Sequence, residues 1–135
     1  MTAFAISKVD ESLQTVWGWA SLATDADGTL VVDAQGDVIL PAELQKAAHD
    51  FVLHSRDGGV MHETTGVATI VESLVTTPET IAALFPTVAK GLIPCGWVVA
   101  FKVTDSSVWK RVQSGELSEF SIHGIGDRVP MKEAA

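Results

Sequence analysis

The stretch GWVVAFKVT at residues 96–104 consists largely of β-branched and aromatic residues. Such residues favour strands because their side chains pack well on a pleated surface. Comparable stretches lie on both sides of it, at residues 15–23 (TVWGWASLA), 67–76 (VATIVESLVT) and 117–125. The sequence therefore predicts a mainly β domain with these stretches as strands.

Three helices are predicted between these strands. The first covers residues 41–54, where apolar side chains recur at helical spacing after a proline suited to the first helical position. A shorter helix covers residues 78–84, and a third covers residues 106–114, where Asp105 is placed to act as the N-cap. Residues 25–37 (DADGTLVVDAQGD) predict turns. This order favours an α+β domain with a closed or curved sheet over a stack of βαβ units.

Length and composition predict one soluble domain that spans residues 1–135. Hydrophobic residues make up 47% of the chain and charged residues 19%, so most of it is expected to be packed. No apolar run reaches the roughly 18 residues of a membrane span, and the N-terminus lacks the pattern of a secretory signal. A single cysteine cannot form an intrachain disulfide, which fits an intracellular protein.

The net charge of −8 argues against nucleic acid as a partner. Phosphate contacts dominate the affinity of proteins that bind nucleic acid, so these proteins usually carry a basic stripe. The densest basic spot in this chain is Lys110-Arg111. A spot of that size is too small to offset the repulsion from the rest of the chain.

Ser121 lies in the last predicted strand, in the sequence EFSIHG (119–124). Alternation places Phe120 and Ile122 on one face of that strand, and Ser121 on the other face together with His123. A hydroxyl that is fixed on a rigid strand suits a nucleophile, because positioning supplies much of the rate of catalysis. An ordinary half-buried strand with polar outer residues is the alternative.

His62 is the candidate for a base that activates this serine. It follows a glycine turn and precedes the predicted strand at residues 67–76. Histidine titrates near neutral pH, so it can take the proton of a serine hydroxyl. Loops that enter strands often carry such residues. A surface histidine at a turn is the alternative.

Glu72 interrupts the predicted apolar face of its strand. The other residues of that face are Ala68, Ile70 and Leu74. Burying an unpaired carboxylate is costly, so such a group normally has a partner. One partner would be a histidine whose tautomer the carboxylate fixes. An ion pair with Lys102 or with an arginine is the alternative.

No motif in the sequence predicts a metal site. The segment HETTG (62–66) begins like the helical zinc motif HExxH, but glycine stands in the place of the second histidine. His49 and His54 are five residues apart, which does not stack them on one helix face. The segment DADG (25–28) lacks the later acidic ligand of a calcium loop.

Trp17, Trp19 and Cys95 are interpreted as structural residues. Alternation places both tryptophan rings on one face of their strand, a pattern that is more common in core packing than in a ligand site. Cys95 has no basic neighbour in the sequence that would lower the pKa of its thiol.

Several short motifs occur in an order that resembles a known family. They are WGWAS (17–21), DAQGDVI (33–39), Met61-His62, Val71-Glu72-Ser73, GWVV (96–99) with FKV (101–103), Val108-Trp109 and EFSI (119–122). Together, over residues 15–128, they resemble the XkdF-type phage serine proteases, a branch of the prohead (capsid maturation) proteases. The resemblance implies a fold similar to that of the herpesvirus assemblins, a closed β-barrel of about six or seven strands flanked by helices.

The resemblance also implies a catalytic pair, and no cofactor is expected. The family's phenylalanine–serine–isoleucine strand matches residues 120–122, which makes Ser121 the expected nucleophile. The family's histidine matches His62, the expected base. This pair would make the chain a serine endopeptidase.

Further site residues are implied around this pair. Glu72 matches a valine–glutamate–serine segment of the family and is the expected third member of the catalytic set. His123 competes for that role, at a position where relatives are expected to have glycine. Gly124 and Arg128 are expected to help bind the oxyanion.

A prohead protease is expected to act inside the procapsid in the host cytoplasm. There it would cut the scaffold and the extensions of the major capsid protein. The herpesvirus relatives are active as dimers, so the resemblance also implies a homodimer. A non-catalytic scaffold or procapsid assembly module of the same fold is the alternative, and a metal-dependent hydrolase is a weaker third hypothesis.

Overall fold

Three long strands form the centre of the sheet where the sequence predicts them: β3 (Thr15–Thr24), β5 (Thr64–Val75) and β6 (Cys95–Val103). The computed structural model describes residues 2–33, 35–60 and 64–122. In this part of the chain the sheet has seven antiparallel strands, the shorter ones being β1 (Thr2–Ala5), β2 (Lys8–Asp10), β4 (Asp57–Val60) and β7 (Glu119–Ile122). Their order is β1-β7-β4-β5-β6-β3-β2.

Three helices accompany the sheet over the same ranges: α1 (Pro41–His54), α2 (Pro78–Leu84) and α3 (Ser106–Gln113). All three begin where the sequence predicts, and only α3 ends earlier, by one residue. The apolar spacing and the starting proline or aspartate act within a few residues of the chain, so contacts with distant segments do not change where the helices begin. None of the described helices is long and apolar enough to cross a membrane.

The short strands β1, β2 and β4 are the main departure from the prediction. β4 has the sequence DGGV, in which two glycines indicate a turn, yet it pairs with both β5 and β7. β7 begins two residues later than predicted, and residues 123–125 lie outside the described part. The mainly β class is confirmed. The closed barrel is not, because the pairings leave β1 and β2 as the two edges of the sheet.

A cluster of aromatic rings fills the inner face of the sheet. The ring of Phe101 in β6 lies 5.7 Å from that of Phe4 in β1 and 6.2 Å from that of Phe51 in α1. Phe4 also lies 6.2 Å from Phe120 in β7, and Phe51 packs edge-on against Trp97 at 5.4 Å. Each fully buried ring stabilises the fold by about 1.5–3 kcal/mol. The cluster therefore joins three strands and a helix in one core.

Two glycines let these rings lie against neighbouring backbone. A Cβ atom at Gly18 of β3 would overlap the carbonyl oxygen of Ala5 and lie 2.5 Å from the Phe4 ring. A Cβ atom at Gly58 of β4 would lie 2.8 Å from the Phe101 ring. β3 thus approaches β1 although the two strands do not pair, so the sheet curves around the aromatic cluster.

α1 packs on this inner face through Leu44, Ala48 and Phe51, which are all buried. After the helix, Arg56 adopts a φ of 67°, and its carbonyl oxygen accepts a hydrogen bond from Ile70 N at 2.9 Å. The chain therefore turns from α1 directly into β4, alongside β5.

Asp105 caps α3, as the sequence predicts. Its Oδ1 accepts hydrogen bonds from Ser107 Oγ at 2.6 Å, Ser107 N at 2.9 Å and Val108 N at 3.0 Å. The bond from the Ser107 side chain, followed by that from Val108 N, lowers the pKa of Asp105. The apolar residues of α3, namely Val108, Trp109 and Val112, are buried.

We predict that Gly18→Ala lowers the free energy of unfolding by about 3 kcal/mol, because the new methyl group overlaps a backbone carbonyl that cannot move aside. Gly115→Ala is the matched control: its φ is +79° and open space surrounds it, so backbone strain alone should cost about 1 kcal/mol. Urea unfolding followed by tryptophan fluorescence measures both. Equal losses would contradict the close approach of β3 to β1.

Candidate active site

Ser121 is fixed in β7 between two core residues. Phe120 and Ile122 have relative exposures of 0% and 4%, and that of Ser121 is 1%. Alternation directs the Ser121 side chain away from the aromatic cluster to which Phe120 belongs, as the sequence predicts. The burial of Ser121 itself is new, because the pattern indicates only a polar outer face.

Ser121 pairs with Ala3 of β1 on one side and with Gly59 of β4 on the other. Gly59 carries no side chain, so β4 brings only backbone alongside Ser121 on that side. The sequence does not predict this partner, because the two glycines before His62 indicate a turn. The one sequence signal for a strand at this place is Val60, an apolar, β-branched residue directly after the two glycines.

His62 lies outside the described residues, as do Met61 and Glu63. The chain on both sides of it is described: Val60 ends β4 and pairs with Thr64, the first residue of β5. The residue predicted as the base is therefore three positions along the chain from Gly59, which pairs with the predicted nucleophile.

The predicted burial of Glu72 is wrong. Ile70 of β5 pairs with Phe101, and the next pair is Glu72 with Ala100. Val71 is thus an extra residue that forms a β-bulge, which changes the phase of alternation along β5. Ile70 shares the inner face with Phe101, whereas Glu72 lies on the outer face and is exposed.

The strand register places Glu72 far from Ser121. Ala68 of β5 pairs with Gly58, which is next to the partner of Ser121, and Glu72 lies four residues further along β5. Four residues correspond to about 13 Å along a strand, and the position of β4 between β5 and β7 adds about 10 Å across the sheet. A catalytic carboxylate must contact the histidine that contacts the serine. The register gives Glu72 no support as the third member.

The alternative interpretation of Glu72, an ion pair with Lys102, is not observed either. In the described part of the chain, an ion pair joins Arg111 Nε to Glu116 Oε2 at 3.1 Å, and Glu72 takes part in none. An exposed carboxylate remains hydrated, so it needs no partner. The bulge therefore explains why Glu72, which the sequence pattern places on an apolar face, is exposed.

His123, Gly124 and Arg128 lie outside the described residues, which end at Ile122. Their roles stay predictions. His123 is the residue directly after β7 and is two positions from Ser121.

Cys95 does not have the properties of a nucleophile. It is a free cysteine with a relative exposure of 3%. Burial, and secondly the charge of Glu79, raise the pKa of its thiol. The thiol is therefore protonated at neutral pH, whereas reactive cysteines are exposed and have a lowered pKa. This agrees with its interpretation as a structural residue.

Trp17 and Trp19 share one face of β3, as predicted, but it is the outer face. They pair with Ala100 and Val98 and are only half-buried, so they are not core residues in the way the sequence indicated. The ammonium group of Lys8 lies 4.3 Å from the centre of the Trp17 ring, a cation–π contact at the surface.

The acidic segments do not form a metal site within the described ranges, where no group of three or more His, Cys, Asp or Glu side chains is placed to hold an ion. Asp25 Oδ1 instead accepts hydrogen bonds from the backbone N–H groups of Asp27 and Thr29, both at 3.1 Å. These bonds close a turn, which is the predicted role of the segment.

An apolar cavity of about 450 Å³ lies at the other end of the sheet. Its lining includes Thr24 at the end of β3, Thr76 just after β5 and Cys95 at the start of β6. Ser121 pairs with Gly59 of β4, and the preceding residue of β4, Gly58, pairs with Ala68 of β5. Ser121 is therefore level with the first half of β5. The cavity is thus separate from the surroundings of Ser121.

Comparison with known proteins finds relatives over most of the chain. A family model described as "Putative phage serine protease XkdF" matches residues 4–130. "Uncharacterized protein YqbD" of Bacillus subtilis (strain 168) is 33% identical over 103 residues, which are 76% of this chain and 30% of YqbD. "Phage-like element PBSX protein XkdF" of the same organism is 28% identical over 97 residues, 72% of this chain and 34% of that protein. The chain thus spans about a third of the length of these relatives. No solved structure matches it.

We predict that Glu72→Gln changes the free energy of unfolding by less than about 0.5 kcal/mol, as expected for an exposed residue. Thr76→Val is the control that shows the sensitivity of the measurement. The buried Thr76 hydroxyl donates to Pro94 O at 2.8 Å and accepts from Gly96 N at 3.0 Å, so its loss should cost about 1–3 kcal/mol. A loss at Glu72 as large as that at Thr76 would show that Glu72 has a buried partner.

Proposed function

Because this chain belongs to the family described as "Putative phage serine protease XkdF", we propose that it is a serine endopeptidase with Ser121 as nucleophile and His62 as base. The observation that carries the proposal is the pairing of Ser121 with Gly59, three positions before His62. Paired strands lie about 4.8 Å apart. Three residues of chain span at most about 10 Å, so the chain length allows a histidine at position 62 to reach that hydroxyl.

In the proposed reaction, Ser121 Oγ attacks the carbonyl carbon of the scissile peptide bond while His62 takes the hydroxyl proton. His62 returns this proton to the leaving nitrogen as the C–N bond breaks, and the acyl group stays on Ser121. A water molecule then attacks the ester, again with His62 as base, and the serine regains its proton. This sequence of steps needs no cofactor.

The remaining members of the site are assigned from chain position. For the third catalytic member, the strand register favours His123 over Glu72, because His123 directly follows the strand of Ser121. For the oxyanion, we propose backbone N–H groups around Gly124 together with the Arg128 side chain. Donors that are already in place for the developing negative charge commonly supply the largest part of such catalysis.

The proposed substrates are the phage scaffold and the extensions of the major capsid protein, inside the procapsid in the host cytoplasm. One relative is named a phage-like element protein, and the family description concerns phage. The net charge of −8 favours recruitment through protein contacts over recruitment by DNA. A homodimer, as in the herpesvirus relatives, is part of the same proposal.

The proposed assemblin-like barrel draws support from the way in which β1 leads into β2. Ile6 N donates to Ser118 O at 2.9 Å, which extends the pairing of β1 with β7. Ser7 N donates to Trp17 O at 2.7 Å, which extends the pairing of β2 with β3. One continuous segment therefore changes its partner from one side of the sheet to the other, as the closure of a barrel requires.

A non-catalytic procapsid assembly module of the same fold is the second candidate, and the burial of Ser121 favours it. A nucleophile must be reached by the peptide that it attacks, yet the relative exposure of Ser121 is 1%. A peptidase with this structure has to expose Ser121 when a substrate binds. An assembly module has no such requirement.

We predict that a fluorophosphonate probe labels the protein at Ser121, and that Ser121→Ala abolishes this labelling. His62→Ala should slow labelling by about 10²–10⁴-fold, the usual contribution of a general base. Glu72→Gln should label at the wild-type rate, because its side chain is exposed and remote in register. Mass spectrometry of tryptic peptides locates the adduct and its rate of formation.

Ser118→Ala and His54→Ala are the matched controls for these variants, since both residues are exposed and lie outside the proposed set. Both should be labelled like the wild type. An adduct that persists in Ser121→Ala would rule out Ser121 as the nucleophile. A folded wild-type chain that takes no label, together with normal capsid maturation in Ser121→Ala phage, would establish the assembly module instead.

A further inference from the structure

The cavity at the end of the sheet away from Ser121 is large enough to bind a ligand and is used by nothing in the proposed reaction. Its volume of about 450 Å³ falls within the range of about 300–1,000 Å³ that is typical of ligand pockets. It is about three times as large as the roughly 150 Å³ cavity that takes a benzene ring. The lining is mainly aliphatic and includes Ile81, Ala82, Val88 and Ile93.

α2 forms part of this cavity and is unusually poorly packed for a helix of a folded domain. None of its seven residues is buried, although Ile81 and Ala82 face the cavity. So short a helix is not stable alone, and most helices in proteins depend on the packing of an apolar face. The Thr77 side chain, which accepts a hydrogen bond from Thr80 N at 3.1 Å, supports its first turn. A ligand inside the cavity would cover Ile81 and Ala82 further.

The apolar surface continues beyond the cavity. Phe85 and Leu92 are exposed at 43% and 67%, and each is next to a lining residue in the chain. Leu84, exposed at 59%, is two residues from the lining residues Ala82 and Pro86. Exposed apolar residues that gather around a pocket mark an interaction site. Their extent exceeds what a small metabolite inside the cavity would cover. An extended peptide, in contrast, can place aliphatic side chains inside and lie across the residues outside.

Within the part of the chain that the structure describes, two acidic side chains and one basic side chain can be assigned to the cavity or its immediate neighbourhood. Asp25 is part of the lining, and Glu79 on α2 is close enough for its charge to act on the thiol of Cys95 in the wall. Among the described residues that line the cavity, Lys90 is the basic one. The whole chain has a net charge of −8. Complementary charge speeds association and selects partners, so basic residues should flank the bound apolar segment.

We propose that this cavity binds a peptide segment of another protein in which two adjacent aliphatic residues are flanked by lysine or arginine. In the proposed peptidase, such a site would hold the substrate at a distance from the bond that is cut. That last role rests on the proposed function, whereas the binding itself does not.

Titration of the ¹⁵N-labelled chain with the capped peptide Ac-Lys-Leu-Leu-Lys-amide tests the proposal. The amide signals of residues 25–28, 81–82, 90–91 and 95 should shift, and Ac-Lys-Ser-Ser-Lys-amide should leave them unchanged. Ala82→Phe, which places a ring in the cavity, should weaken binding by at least about tenfold, equivalent to 1.4 kcal/mol. Ala83→Phe is the matched control on the same helix, outside the lining, and should bind like the wild type.

Three results would overturn the proposal. The first is the absence of shifts at millimolar leucine peptide, and the second is equal binding in Ala82→Phe and Ala83→Phe. The third is the same set of shifts on dilution of the protein alone, which would assign the cavity to a second copy of this chain. Binding is measured without peptide cleavage, so a negative result with the fluorophosphonate probe leaves this test unaffected.

Discussion

The stacking of Phe4, Phe101 and Phe120 inside one curved sheet is the constraint on which the rest of the structure depends. These rings come from β1, β6 and β7, and β6 is three places away from β7 in the strand order. They can meet only if the sheet curves. That curvature in turn requires glycine at Gly18 and Gly58, where a side chain would occupy the space of the rings or of the Ala5 carbonyl.

The same packing fixes the proposed nucleophile. Phe120 is held in the cluster, so alternation forces Ser121 to the opposite face, and a slip of one residue would exchange the two. β4 contributes both to the aromatic core and to the candidate site. Gly58 makes room for the Phe101 ring, and the next residue, Gly59, pairs with Ser121. Two adjacent glycines thus connect the aromatic core with the candidate site.

An element could be predicted from the sequence where the residues that determine it lie close together in the chain. α1 was predicted to the residue because its proline start and apolar spacing are local. β4 was missed because the role of Gly58 depends on Phe101, which lies far away in the chain. Glu72 was placed on the wrong face because the sequence does not mark the bulge at Val71. Residue type and loop position suggest His62 as the base for Ser121, and the family resemblance supports the pair, but residue spacing cannot reveal the pairing of β4 with β7 that brings their strands together.

The distance between the two ends of the sheet limits how the cavity and the proposed catalytic pair can act on one substrate. Ala68 is level with Gly58, and Thr76, which is eight residues further along the chain and just after β5, lines the cavity. Eight residues of strand span about 26 Å, so one extended substrate needs at least about eight residues to reach both places. The cavity therefore cannot select the side chain beside the scissile bond. It would instead discriminate by the presence of a distant apolar segment, which raises the affinity for long chains and leaves the chemical step at Ser121 unchanged.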